Sequence, residues 1–155
     1  MQHARNRRFA GLAAAGLVLV ALASAPAIAQ VGAPASGLGQ SWPNATDVSS
    51  SPHWHVYLFE RNGIRYVQVN DLSGKVRAAF ARSGGSFLAL PVGLDASRLG
   101  TPQEPLAATR QAAGEIVYRD ATTTVLVSPQ PDGTARVYAA DGDCKDPIEC
   151  SSRGQ

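Results

Sequence analysis

Asn62-Gly63 stands between two alternating stretches, WHVYLFER (54–61) and IRYVQVND (64–71). Few features constrain a chain of this length more. A two-residue Asn-Gly loop asks for φ > 0 at both positions, which joins antiparallel strands in a tight hairpin. The loop then dictates a register: Arg61 opposite Ile64, Glu60 opposite Arg65, Phe59 opposite Tyr66, and so on to Val56 opposite Val69. One face of this hairpin carries Trp54, Val56, Leu58, Val67 and Val69 and reads as core. The other carries His55, Tyr57, Phe59, Tyr66, Gln68 and Asn70, and is mixed.

The turn DLSG (71–74) leads into a third strand. A four-residue loop pairs Asn70 with Lys75 and puts Val76, Ala78 and Phe80 on the core face. Arg77 and Ala79 then lie beside Gln68 and Tyr66, whereas a one-residue slip would push Arg77 into the core. Ser83-Gly84-Gly85-Ser86 reverses the chain again, and Pro91 ends the fourth strand. Further strands are expected at 116–118, 122–127 and 135–139, with Pro131-Asp132-Gly133 as turn chemistry. Pro105 just inside a stretch that stops before Gly114 predicts a short helix over 105–113. The fold expected is mainly β: an antiparallel meander of about seven short strands, forming a rolled sheet or small sandwich, with that one helix.

The N-terminus predicts export. Arg5, Arg7 and Arg8 precede an apolar run from Phe9 to Ala25, and Ala27-Ile28-Ala29 is a small-x-small cleavage signal. Cleavage between Ala29 and Gln30 leaves a flexible Gly/Ala/Pro/Ser-rich leader over 30–41, a β-rich domain over 42–140 and an acidic tail over 141–155. Trp42 is too large and apolar to remain loose, and is expected to fold back. Periplasm or secretion is the implied location.

Charge narrows the function. The chain has 14 Lys+Arg and 12 Asp+Glu, and its first 29 residues hold three arginines and no acid. The remainder has 11 basic against 12 acidic residues, a net of −1, which argues against nucleic acid as a partner. No stretch beyond the leader is long and apolar enough to span a membrane. An oxidising compartment predicts that Cys144 and Cys150, the only cysteines, form a disulfide.

Catalytic signatures are lacking. There is no G-x-S-x-G, and Ser86 falls in a hairpin turn rather than at a strand-to-helix elbow. Asp141, Asp143, Asp146 and Glu149 cluster in DGDCKDPIE, but Lys145 and Asp146 break the calcium-loop order. A non-enzymatic protein without a cofactor is therefore expected. Its candidate binding face is His55, Tyr57, Phe59, Tyr66, Gln68 and Arg77, an aromatic and polar mixture suited to another envelope or extracellular protein. The alternative is that the helix or the later strands cover this face. A second function class rests on His53 and His55, which would share one side of a strand and present two imidazoles to a divalent metal. Asp47 or Asp71 would have to complete that site.

The stretch WPNATD…WHVYLFERNGIRYVQVND with the following GKVRAAF resembles small exported proteins of unknown function from Gram-negative proteobacteria, over residues 42–92. The resemblance implies export and a common β-meander, and brings no active-site residue with it.

Overall fold

In a computed structural model of the chain, residues 37–109 and 113–152 are described; the expected signal segment and cleavage point, Ala29 and Gln30, lie outside them. Asn62 and Gly63 adopt φ 54° and 75°, so the Asn-Gly loop forms as its chemistry demands. It joins β1 (Trp54–Arg61) to β2 (Ile64–Asp71). Their pairing runs from Arg61↔Ile64 through Val56↔Val69 to Trp54↔Asp71, which is the register that the sequence predicts.

The next strand departs from expectation. β3 (Val76–Ser83) pairs Asn70 with Val76 and Val69 with Ala78, with an irregularity between Val69 and Asn70. The extra residue is Arg77. A bulge re-aims one side chain while the following residues recover the alternation, so Ala78 and Phe80 remain in the core. Arg77 leaves the Gln68 side altogether. Its Nε donates to Asp95 Oδ2 at 2.7 Å and its Nη2 to the Gly133 carbonyl at 2.9 Å. The predicted pairings Asn70–Lys75 and Gln68–Arg77 are thus corrected. Burying Arg77 is tolerable because Asp95 is buried with it and their attraction, with the added hydrogen bond to Gly133, offsets the desolvation of the two charges.

β4 (Ser86–Leu90) follows the Gly84-Gly85 turn and completes an antiparallel sheet in the order β1-β2-β3-β4. A second sheet is built from β5 (Leu99–Gly100), β6 (Glu115–Arg119), β7 (Thr123–Pro129) and β8 (Ala135–Asp141). Its order is β5-β8-β7-β6, with β5 parallel to β8 and the other pairs antiparallel. The inward residues of both sheets, among them Val56, Val67, Phe80, Val117, Val125 and Val137, form one buried cluster. Each such side chain contributes roughly 1.5–3 kcal/mol by leaving water.

Residues 47–50 tie the sheets along one side. The Val48 amide donates to Val56 of β1 and the Ser50 amide to Val117 of β6. Ion pairs tie the rim: Arg65 to Asp120 at 2.6 Å and Arg82 to Asp141 at 2.9 Å. Arg65, which faces Glu60 in the hairpin register, thus spends its charge on the other sheet.

The helix expected over 105–113 does not form in its described residues, 105–109 and 113. The Leu106 amide donates to the Ser151 carbonyl, and the Ala107 carbonyl accepts from Arg136 Nη1. These backbone groups find their partners in other segments of the chain and not within a helical turn. The helix lies instead in the tail, as α1 (Pro147–Ser152). It is capped by Asp146, whose Oδ1 accepts the Ile148 amide at 3.0 Å, and its Cys150 is tied back to Cys144 by the disulfide. Ser151 Oγ donates to the Ala139 carbonyl at 2.7 Å, holding the tail on β8.

Candidate functional site

The alternation of β1 and β2 places His55, Tyr57, Phe59, Ile64, Tyr66, Gln68 and Asn70 on the outer face of the first sheet. The pairings Ala81↔Leu88 and Ala79↔Leu90 add those four from β3 and β4. Five of the six predicted face residues are therefore together. Arg77 is the exception, for the reason given above.

One end of this face is closed by the chain itself. The Gly39 amide donates to Gln68 Oε1 at 2.6 Å, and Gln68 Nε2 donates to the Gln40 carbonyl at 2.8 Å and to Asn70 Oδ1 at 2.9 Å. Asn70 Nδ2 donates to the Ser41 carbonyl at 2.7 Å. Gln68 and Asn70 are fully buried, and every one of these bonds satisfies a polar group that burial would otherwise penalise. Residues 37–41, assigned to a flexible leader by composition, are thus a built part of the sheet's cover at their described end. Trp42 does fold back, its ring packed over Gly74 and edge-on to His55 at 5.4 Å between centroids.

The two histidines diverge. β1 begins at Trp54, so His53 precedes the strand and the i, i+2 rule does not govern it. His53 Nδ1 lies 3.1 Å from Glu115 Oε1, which also accepts from Trp54 Nε1 at 2.8 Å. His55 Nδ1 lies 2.7 Å from Asp47 Oδ2. Burial pushes both carboxyls up, but hydrogen bonds with their histidines, and for Asp47 with the Val56 and Ser49 amides, outweigh it and hold them below their ordinary values. Each imidazole thus has its own carboxylate, and Asp47 is spent pinning residues 47–50 to β1. Among the described residues no group of three or more His, Cys, Asp or Glu is arranged to hold a metal. Asp71 serves its own turn, accepting from the Ser73 and Lys75 amides. Asp146 and Asp141, candidates for a calcium loop, are a helix cap and an arginine partner.

The other end of the face is open. Ile64, Tyr66, Ala81, Leu88 and Leu90 line an apolar groove of about 280 Å³. Leu88 is 57% exposed there. Phe59 is half-buried and Tyr57 buried, so the usable surface is shifted from β1 toward β4. Ile64, Leu88 and Leu90 are the site residues that sequence reasoning missed. The signal was the spacing of Leu88 and Leu90, but using it required the β3–β4 register across the Gly84-Gly85 turn.

No protein-family model matches this chain, and no curated protein or solved structure matches it significantly.

Proposed function

We propose that the protein is a small exported binding module that recognises another envelope or extracellular protein through the open end of the outer sheet face. The observation that carries this reading is the groove around Tyr66 and Leu88. It is apolar, it lies on a rigid antiparallel sheet, and its most prominent side chain is a leucine left largely in water. Apolar surface of this kind, rimmed by polar residues, is characteristic of recognition sites. The Cys144–Cys150 bridge fits the oxidising compartment that the N-terminal leader implies. The role assigned is binding and requires no cofactor.

Chemical cross-linking in intact cells, with the protein carried at its native level, tests the reading. Cross-linked adducts should form outside the cytoplasm, disappear in Leu88→Asp, and persist in Leu72→Asp, which alters an exposed leucine of the β2–β3 turn instead. Equal adducts in both variants, or the uncleaved chain recovered from the cytoplasm, would refute it.

A further inference from the structure

The groove ends at β4, the last strand of its sheet. Ser86, Leu88 and Leu90 lie opposite Ser83, Ala81 and Ala79 of β3. The amides of the intervening residues face the other way, and each is met by a side chain. Phe87 N–H donates to Gln103 Oε1 at 3.0 Å, and Ala89 N–H donates to Glu104 Oε1 at 3.3 Å. Two acceptors facing amides two residues apart imitate the carbonyls of a neighbouring antiparallel strand. The opposite edge of the sheet, at β1, is instead occupied by backbone, with Asp47 bridged to Tyr57.

The cover at β4 consists of two side chains. The loop that carries it is rooted through Thr101, which is buried, whose Oγ1 accepts the Glu104 amide and whose own amide donates to the Glu104 carbonyl. Gln103 and Glu104 themselves are exposed, and the two β4 amides are met by their side chains and not by their backbone. Leu90, Pro91, Ala96, Ser97 and Glu104 border an open depression of about 360 Å³ beside the edge. On the face above lies the Tyr66–Leu88 groove. Among the described residues Glu104 makes no ion pair, so a negative charge stands unneutralised at the edge.

We propose that β4 is a strand-addition site. An extended segment of a partner protein pairs with the outer edge of β4 and displaces the side chains of Gln103 and Glu104. It lays an apolar residue against Leu88 and a lysine or arginine beside the Glu104 carboxylate. Main-chain hydrogen bonds supply affinity in this mode, and the alternate side chains supply selectivity. The inference rests on the binding role proposed above and specifies how the partner is held.

The test titrates a six-residue end-blocked peptide alternating lysine and valine into the purified, disulfide-bonded protein, with amide chemical shifts as readout. Shifts at Phe87, Leu88 and Ala89 are expected. Gln103→Ala should bind more tightly, because one competing acceptor is gone. Ala89→Pro removes an amide that the β3 ladder does not use, and should bind about tenfold more weakly or worse. A peptide N-methylated at alternate amides should fail in the same way, which keeps the test valid if Ala89→Pro does not fold. Absence of shifts at Phe87–Ala89 in both wild type and Gln103→Ala overturns the proposal. So does protection of these amides by a second copy of the chain without peptide. Binding that survives N-methylation and Ala89→Pro but is lost in Leu88→Asp overturns strand addition while leaving the groove reading intact.

Discussion

Arg77 and Asp95 meet through a guanidinium that gives both Nε and Nη2 to one carboxylate oxygen, at 2.7 and 2.6 Å. Asp95 is 1% exposed and Arg77 10%. The pair explains how a bulge can turn an arginine inward: the carboxylate offsets the desolvation of the guanidinium. It also predicts an asymmetry. Asp95→Ala leaves a buried guanidinium whose one remaining carboxylate is Asp71, 3.4 Å away, beside the Gly133 carbonyl, and should destabilise by about 3 kcal/mol. A shift in the urea midpoint equivalent to less than about 1 kcal/mol would mean that the pair is incidental.

Gly74 has φ 82°, and a Cβ there would collide with the Trp42 indole. Gly74→Ala therefore meets two obstacles: a left-handed conformation costing about 1 kcal/mol, and eviction of the ring. Trp42 should become more accessible to acrylamide, while Trp54, bonded to Glu115, should stay shielded. Unchanged quenching would show that the indole does not rest on this turn.

Burial pushes the Asp120 carboxyl up, but hydrogen bonds from Tyr118 Oη, the Thr122 amide and hydroxyl, and the Thr123 amide hold it down at about 2, against an ordinary 3.8. Burial and the same carboxylate push Tyr118 up to about 12. A carboxyl depressed in the folded state stabilises fully above its unfolded pKa, and that contribution fades as pH falls through the folded value. Asp120→Asn should thus lose about 2 kcal/mol at neutral pH. It should also show a shallower acid loss between about pH 4 and pH 2. Parallel acid profiles for the two proteins would contradict this account.

Reducing the Cys144–Cys150 bridge opens a loop of sequence separation 6. The chain-entropy model gives about 2 kcal/mol for so short a loop. Replacing both cysteines by serine should cost about that much. Amide exchange should rise at Leu106, whose donor bond ends on Ser151. Exchange at Val67 in the core should change only with global stability. Equal acceleration at both amides would show that the tail is no local clasp but part of the main cooperative unit.

Legibility divided along physical lines. The Asn62-Gly63 turn, the β1–β2 register, the core face and the disulfide were readable because each depends on a local conformational rule or on residue type alone. The face residues His55, Tyr57, Phe59, Tyr66 and Gln68 were readable for the same reason, since alternation fixes sidedness. Arg77 was misplaced because a bulge is selected by the distant carboxylate of Asp95, not by its neighbours in sequence.

The 105–113 helix failed for a related reason. Its backbone groups found better partners in Arg136 and Ser151, and tertiary hydrogen bonds override a weak local propensity. His53 and His55, two positions apart in sequence, were drawn to separate carboxylates 62 and 8 positions away. The amino-acid sequence by itself determined seven of the eight strands and which side of the hairpin is apolar, because those follow from backbone sterics and hydrophobic period; it did not determine β5, which exists only by pairing in parallel with β8. Only the tertiary structure decided what covers each face and edge: residues 39–42 over Gln68 and Asn70, and Gln103 and Glu104 along β4. Coverage depends on contacts between segments far apart in the chain, and no local rule encodes them.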